Sequence, residues 1–254
     1  MLVLKNVICT NGVYYLTPKK QTFSKAYIEI RDKEQRFLGD NEVKKLPFTS
    51  KNNPHYHEWL LRQQSTKRFI NYLKTKKEKL TILDLGCGNG WFTNLMAEVS
   101  TQNKIIGLDI NIEELEQAAR IFRKTNLNFS YGDVFQLDKI IEKQFDLIVL
   151  NASVQYFQNF DGLIDKLNSL LKFKGELHII DSPFYKENEL EKARQRSIDY
   201  YTNLGYPEMA KNYFHHQIKD IENFDILYKP SKSIYQKIIR KQVNPFYWVR
   251  LFNV

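Results

Sequence analysis

Cysteine, glycine and proline are scarce in this 254-residue chain, and each scarcity excludes a class of protein. Two cysteines, Cys9 and Cys87, cannot build a disulfide framework or a cysteine-rich zinc site, so we expect a reducing compartment and no metal site. Ten glycines and seven prolines exclude a collagen-like or low-complexity chain. Because 43% of the residues are hydrophobic and 26% are charged, the chain can bury a core and is not disordered throughout.

Long hydrophobic runs are also missing. The run at 145–150 contains an acidic residue and is far shorter than the ~20 residues that a membrane-spanning helix needs. The first ten residues lack the charged start, long apolar stretch and small-residue cleavage site of an export signal. We therefore expect a cytoplasmic protein that does not act on a membrane.

Acidic residues are outnumbered, since 29 Asp and Glu face 38 Lys and Arg, for a formal net charge of +9. A basic chain can attract nucleic acid or anionic substrates. The basic residues are scattered, however, and their densest stretches at 67–79 and 229–241 are typical of solvated faces. A nucleic-acid partner is compatible with this charge but is not favoured by it.

Residues 1–50 predict a small β-rich extension. Asn11 and Gly12 form a strong hairpin signal because both turn positions need a positive φ, and strand-like runs lie on either side of them. Residues 26–31 add a third predicted strand. A helix with one apolar face is predicted at 55–76.

From residue 80 onward, short apolar strands alternate with helices. The predicted strands lie at 80–85, 104–109, 128–131, 145–150 and 176–181. The helices between them are predicted at 91–99, 113–123 and 160–171. Strands that are apolar throughout and alternate with helices predict a parallel sheet covered on both faces.

The pattern after residue 181 is less regular. Helices are predicted at 188–204 and 208–221, and a basic helix is predicted at 231–241. Two further strands, at 224–228 and 246–252, lie on either side of that basic helix. We expect them to close the sheet as an antiparallel pair.

A glycine-rich turn carries the strongest functional signal. An apolar strand ends near Asp84, and the chain then passes through Gly86, Gly88 and Gly90 into a helix. Glycine is needed where a ligand must approach the backbone closely, and open α/β sheets bind ligands at the carboxyl ends of their strands. The spacing differs from the G-x-G-x-x-G of dinucleotide sites, and Asp84 would repel a pyrophosphate. An acid here suits a positively charged cofactor such as S-adenosylmethionine, and a nicotinamide oxidoreductase is disfavoured.

Acidic residues also follow the next two predicted strands. Asp109 can accept hydrogen bonds from both hydroxyls of a ribose, and Asp133 could accept a hydrogen bond from an adenine amino group. Three acids at three successive strand ends would face one crevice. The alternative roles are a helix N-cap for Asp109, unless Asn111 caps instead, and a turn residue for Asp133.

On these motifs the sequence resembles the class I S-adenosylmethionine-dependent methyltransferases of the small-molecule type, over roughly residues 80–181. The resemblance implies an α/β fold, a Rossmann-like three-layer sandwich with a mainly parallel seven-stranded sheet that ends in an antiparallel pair. It divides the chain into the β-rich extension, 1–50, and a methyltransferase domain, 51–254, with a helical substrate lid at about 182–222.

The resemblance also implies which residues bind S-adenosylmethionine and its product S-adenosylhomocysteine. The glycine motif would cradle the methionine portion, Asp109 the ribose, and the turn at Asp133 the adenine, with Asn151 near the transferred methyl group. Cys87 lies in the same loop and packs as a small apolar residue. The implied cofactor-binding residues are Asp84, Gly86, Cys87, Gly88, Asp109, Ile110, Asp133, Val134 and Asn151.

Two residues are candidates for catalysis. Tyr156 follows the fourth predicted strand and faces the expected transfer site, with a core aromatic residue as the equal alternative. His215 lies in the predicted lid, with a surface histidine as the alternative.

The predicted acceptor is a small molecule. No Asn/Asp-Pro-Pro-aromatic run follows the fourth strand, which argues against methylation of adenine or cytosine amines. An RNA methyltransferase and a catalytically silent S-adenosylmethionine-binding module are the alternative functions. The acceptor atom and the oligomeric state are not predicted.

Overall fold

The computed structural model describes residues 7–19, 24–139, 144–230 and 243–253. The strands are β1 (Ile8–Thr10), β2 (Val13–Tyr15), β3 (Thr81–Leu85), β4 (Lys104–Asp109), β5 (Leu127–Tyr131), β6 (Phe145–Asn151), β7 (Leu171–Ser182), β8 (Phe184–Tyr185), β9 (His216–Gln217), β10 (Asp225–Tyr228) and β11 (Tyr247–Phe252). The α-helices are α1 (Ser24–Lys33), α2 (Asp40–Val43), α3 (Tyr56–Lys74), α4 (Trp91–Val99), α5 (Ile112–Ile121), α6 (Phe160–Leu170) and α7 (Leu190–Asn203).

The main sheet has the strand order β1-β2-β5-β4-β3-β6-β7-β11-β10. The strands from β2 to β7 pair in parallel, so their carboxyl ends meet at one edge of the sheet. At the far side β11 lies antiparallel between β7 and β10. The predicted mainly parallel α/β sheet with a closing antiparallel pair is therefore confirmed, and the N-terminal hairpin adds two strands to the seven that were expected.

Two apolar clusters lie on opposite faces of the sheet because successive strand residues point to opposite sides. In β3, Ile82 packs under α3, α4 and α5, while Leu83 packs under α6. Full burial of such a side chain contributes about 1.5–3 kcal/mol. The result is the three-layer sandwich that the alternation of strands and helices predicts. Within the described ranges, no helix is long and apolar enough to cross a membrane.

The N-terminal hairpin is present, but it is not an independent β unit. Asn11 and Gly12 have φ values of 50° and 81°, as the predicted turn requires. Strand β2 pairs in parallel with β5, so that Val13 lies opposite Phe129, at the edge of the main sheet. The boundary at residue 50 stays a prediction.

The strand predicted at 26–31 is wrong, because these residues lie in α1. The alternation of Tyr27, Ile28, Glu29 and Ile30 imitates a strand over a short window. Ile30, however, is buried against Tyr201 and other side chains of the 190–213 segment, and this packing selects the helix. The extension is therefore β-rich only in its hairpin.

The helix predicted at 208–221 is also wrong. This segment consists of two short 3-10 helices, Pro207–Asn212 and Ile218–Ile221, with β9 between them. The backbone N–H of Phe214 donates to the Gln155 carbonyl at 2.8 Å, and β9 pairs with β8, so the chain is held extended here. The predicted helix at 188–204 is confirmed as α7, and the basic helix predicted at 231–241 lies outside the described residues.

A buried polar network joins α3 to the sheet. Glu176 accepts hydrogen bonds from the Tyr72 hydroxyl and the Lys76 ammonium, both at 2.6 Å, and lies 3.1 Å from Nε2 of the buried His178. Trp248 donates to Nδ1 of the same histidine at 3.1 Å. Burial raises the pKa of Glu176, but the bonds from its partners outweigh burial and lower that pKa to about 2.

We predict that Glu176→Gln destabilises the protein by about 1–3 kcal/mol at neutral pH, because charge-assisted hydrogen bonds are lost. The folded pKa is depressed relative to that of the unfolded chain, ~4.3, so this stabilisation is present above that pH. It is lost as the pH falls toward about 2. Urea unfolding of both proteins at pH 7 and pH 3 measures the difference.

The control is Glu191→Gln, whose side chain is 88% exposed. We expect it to change the free energy of unfolding by less than about 0.5 kcal/mol at either pH. An equal effect of the two substitutions at pH 7 would contradict the role given to Glu176.

Candidate active site

A cavity of about 450 Å³ lies at the carboxyl edge of the parallel strands. The turns after β3, β4, β5 and β6 form one half of its lining, and α1, α3 and the 207–212 segment form the other. Ten of the predicted site residues line it: Asp84, Gly86, Cys87, Gly88, Asp109, Ile110, Asp133, Val134, Asn151 and Tyr156.

Asp84 is buried at the end of β3, with 1% of its surface exposed. The Thr93 hydroxyl donates to its Oδ2 at 2.6 Å, whereas Oδ1 has no hydrogen-bond partner among the described residues. Burial raises the pKa of this carboxyl to about 7; the Thr93 bond lowers it and the charge of Asp109 raises it further. A buried acceptor without a donor suits a cationic group such as an ammonium.

The glycine turn is close to its neighbours at two positions. A Cβ on Gly86 would lie 2.5 Å from the Ser153 Cβ, and one on Gly88 would lie 3.3 Å from a carboxylate oxygen of Glu114. Both glycines have a positive φ, 75° and 51°, which other residues rarely adopt. Only glycine therefore allows the turn to lie this close to the end of β6 and to α5.

Asp109 connects the first two turns. Its Oδ2 accepts the Gly88 N–H at 2.8 Å, and its Oδ1 accepts the N–H groups of Ile110 and Asn111 at 2.7 and 2.9 Å. Burial raises the pKa of the carboxyl, and these three backbone bonds lower it. Each carboxylate oxygen has two lone pairs, so Oδ2, which accepts only the Gly88 N–H, can also accept a ligand hydroxyl. The helix cap is Asn111, whose Oδ1 accepts the Glu114 N–H at 3.0 Å.

The third turn presents an acid beside apolar side chains. Asp133 Oδ1 accepts the Phe135 N–H at 3.1 Å, and Oδ2 accepts a hydrogen bond from Gln136 Nε2 at 3.2 Å. Asp133 therefore forms the turn, as its alternative role predicts, and also lines the cavity. Ile110 is 41% exposed and Phe135 is 47% exposed, although both line the cavity. Their exposed apolar surface suits a flat aromatic ring.

Glu114 is a cavity residue that the sequence reasoning missed. It is 5% exposed and lies under Gly88. Burial raises its pKa to about 7, while the charge of Arg31 lowers it and that of Asp109 raises it. The sequence feature that could have indicated Glu114 is Asn111. As the N-cap it places Glu114 in the first turn of α5, next to the glycine turn.

The second half of the cavity comes from segments outside the sheet. Its residues include Tyr27, Arg31, Arg36, Trp59, Arg62 and Asn212. From the sequence, Arg31, Glu34 and Arg36 suit an anion clamp or a solvated turn, and the solvated turn is the preferred interpretation, so these arginines are not predicted site residues. Arg36 and Arg62 both bind Glu58, at 2.6 and 3.0 Å, so this one carboxylate offsets part of their charge.

The two catalytic candidates are separated by the structure. Tyr156 lines the cavity and contacts the rings of Tyr27 and Tyr213 edge-on. His215 is not among the cavity residues; its Nε2 lies 3.0 Å from the Ser197 hydroxyl and its ring lies against Tyr185. The position of His215 does not support its predicted catalytic role.

Comparison with known proteins identifies the class. Residues 76–242 match the model of a family described as a methyltransferase domain, which is well over half of the chain, and the protein belongs to this family. Its fold is the Rossmann-like fold of solved methyltransferases.

Named relatives resemble parts of the chain. Malonyl-[acyl-carrier protein] O-methyltransferase 2 of Ilyobacter polytropus is 32% identical over 153 residues, which are 59% of this chain and 58% of that protein. The corresponding enzyme of Acetivibrio thermocellus is 33% identical over 101 residues, or 40% and 35%. The chain thus spans about a third to three fifths of these relatives. Magnesium protoporphyrin IX methyltransferase of Synechocystis, solved with S-adenosylhomocysteine, shares the fold with a TM-score of 0.58, 14% identity and coverage of 91% and 96%.

We predict that the protein binds S-adenosylhomocysteine and not NAD, and that Asp109→Ala weakens this binding about 5- to 150-fold. Such a loss corresponds to the ~1–3 kcal/mol of a hydrogen bond to a charged group. Calorimetric titration measures it, and the exposed Asp161→Ala serves as the matched control. Tighter binding of NAD than of S-adenosylhomocysteine would contradict this assignment of the glycine turn.

We also predict that S-adenosylhomocysteine binds more tightly as the pH rises from 6 to 7.5. The Asp84 carboxyl, with its pKa near 7, is largely protonated at the lower pH. A cationic ligand group favours the ionised form, so binding releases protons. Titration in two buffers of different ionisation enthalpy counts those protons. Asp84→Asn should release fewer, and release unchanged by this substitution would exclude Asp84 as their source.

Proposed function

We propose that this protein transfers the methyl group of S-adenosylmethionine to a small-molecule acceptor by in-line displacement. The observation that carries the proposal is the single cavity whose acidic half follows the strand ends and whose other half is aromatic and basic. A cationic cofactor in the first half would leave the second half for an acceptor. The lining by α1 and α3 limits the access of water, which such a displacement requires.

The proposed cofactor residues follow the chemistry of the three turns. Asp84 and the backbone of Gly86 to Gly88 would hold the cationic methionine portion, and Asp109 would hold the ribose hydroxyls. When bound, S-adenosylmethionine supplies a methyl group on a positively charged sulfur, which is left as a neutral thioether. The backbone of Val134 and the exposed face of Ile110 would lie beside the adenine, with Asp133 accepting a hydrogen bond from its amino group.

Two residues at the end of β6 would act on the acceptor. Asn151 Oδ1 has no hydrogen-bond partner among the described residues and is free to accept a hydrogen bond from a ligand in the cavity. Burial raises the pKa of Tyr156, so its phenol stays protonated and can donate to the acceptor. Both would orient the acceptor, and orientation supplies much of the rate in a methyl transfer.

The relatives are compatible with this reading at a coarse level. Those named above are O-methyltransferases of malonyl-[acyl-carrier protein], and another relative is the trans-aconitate 2-methyltransferase of Deinococcus radiodurans, 28% identical over 128 residues. The O-methyltransferase names support an oxygen atom of the substrate as the methyl acceptor of this protein.

The test follows a labelled methyl group. The protein is incubated with methyl-labelled S-adenosylmethionine and, separately, with the small-molecule, RNA and protein fractions of a cell extract. We expect label in the small-molecule fraction, at least tenfold less with Asp109→Ala, and no loss with Asp161→Ala. Label in RNA would establish the alternative of an RNA methyltransferase. Cofactor binding without transfer to any fraction would indicate a silent binding module.

A further inference from the structure

We infer that Arg31 binds a carboxylate of the acceptor, with Tyr27 and Tyr156 beside it, so that the acceptor is a small organic acid. This inference rests on the proposed function and names the substrate class of the same cavity. It depends on one guanidinium in the cavity wall whose Nε has no hydrogen-bond partner within the described part of the chain.

Arg31 lies in the last turn of α1 and lines the cavity. Its Nε atom is buried and has no hydrogen-bond partner among the described residues. Its Nη1 lies 3.6 Å from Glu34, which is longer than a hydrogen bond. A guanidinium has five donors, and a buried donor left unpaired destabilises the empty site. A carboxylate bound in the cavity would supply the missing acceptor.

The nearby acids are engaged with other groups. Glu58 binds Arg36 and Arg62 at 2.6 and 3.0 Å. Glu34 accepts from the Tyr200 hydroxyl and lies 3.5 Å from Arg36 Nε. Arg36 and Arg62 are therefore paired with Glu58 at close range, whereas the ion pair of Arg31 is the longer contact with Glu34, at 3.6 Å.

Two phenols extend this surface. The Arg31 guanidinium lies 5.7 Å from the centre of the Tyr27 ring, which holds it by a cation–π contact. The Tyr27 and Tyr156 rings meet edge-on with their centres 5.9 Å apart. Burial raises the pKa of both phenols, so both remain donors at neutral pH. A planar guanidinium beside hydroxyl donors matches a carboxylate, which accepts two parallel hydrogen bonds.

The charge balance favours a carboxylate over a phosphate. Arg31, Arg36 and Arg62 share two acids, Glu34 and Glu58, which leaves one positive charge unbalanced among these five groups. A phosphate ester carries up to two negative charges at neutral pH. Glu114 also lines the cavity, and its charge, which interacts with that of Arg31, would repel the second negative charge. The competing explanation is that Arg31 only balances Glu114.

The position of Arg31 is held by contacts of α1 with the segment that follows β7. Lys33 Nζ donates to the Leu204 carbonyl at 3.1 Å, and the Tyr206 hydroxyl donates to Glu29 at 3.1 Å. Ile30 is buried against Tyr201 and Met209. A fixed helix keeps the guanidinium in place before an acceptor arrives, which lowers the entropic cost of binding.

The experiment measures binding rather than transfer. Protein saturated with S-adenosylhomocysteine is titrated calorimetrically with succinate, with its neutral counterpart succinamide, and with inorganic phosphate. We expect succinate to bind at least tenfold more tightly than either of the others. Arg31→Gln should weaken succinate binding about 10- to 100-fold, as expected for a charge-assisted pair, and leave the affinity for S-adenosylhomocysteine within twofold.

Two further variants complete the design. Arg194→Gln, on the exposed surface of α7 and 57% exposed, is the matched control and should bind succinate like the wild type. The double variant Arg31→Gln/Glu114→Gln addresses the competing explanation. If Arg31 only balanced Glu114, the double variant would regain succinate binding; we expect it to stay defective. If Arg31→Gln fails to fold, Arg31→Lys keeps the charge without the planar fork and should weaken binding several-fold.

Several outcomes would overturn the inference. They are equal affinity for succinate and succinamide, tighter binding of phosphate, absence of succinate binding, and unchanged binding in Arg31→Gln. Each can occur while label still reaches small molecules, in which case the proposed function stands without this acceptor class. Conversely, transfer of label to RNA, or no transfer to any fraction, contradicts the proposed function, whether or not succinate binds.

Discussion

The three backbone hydrogen bonds accepted by Asp109 determine the geometry on which the cavity depends. Gly88 belongs to the turn after β3, whereas Ile110 and Asn111 belong to the turn after β4, so one carboxylate joins two neighbouring turns. Strands β3 and β4 pair residue by residue from Thr81 opposite Lys104, and both turns therefore begin at the same level of the sheet. The position of Asn111 then sets the start of α5 and brings Glu114 beneath the glycine turn.

This arrangement concentrates negative charge in a desolvated space. Asp84 and Glu114 are buried and Asp109 is partly exposed, and loss of contact with water is the main cause that raises the pKa of each. The acids therefore destabilise the empty cavity at pH values where they ionise, and a cation placed among them relieves the strain. This free-energy cost at the site is offset by stabilising interactions elsewhere. One example is the network around Glu176, whose partners lower the pKa of that carboxyl.

The parts of the molecule that could be predicted from sequence are those fixed by local chemistry. Acids and glycines at strand ends indicate the edge of the sheet at which a ligand binds, and the turns at Asp84, Asp109 and Asp133 all line the cavity. The acceptor half could not be predicted, because it depends on long-range packing. A short alternating run at 26–31 suits a strand locally, and only its contacts with the 190–213 segment decide for α1. His215 shows the same limit, since its loop is extended by pairing with β8.

The two halves of the cavity are built from different kinds of interaction, and this separation bears on specificity. The cofactor half rests on backbone turns at the ends of paired strands, where a substitution alters the sheet. The proposed acceptor half rests on side chains of α1, of α3 and of the loop after α1, which meet one another through ionic contacts such as Arg36 with Glu58. Side-chain changes on α1 can thus alter the charge presented to an acceptor without moving Asp109. The proposed recognition of the acceptor is therefore separable from binding of the cofactor, and Arg31, distant from the glycine turn in sequence, would select the substrate by its charge and its planar shape.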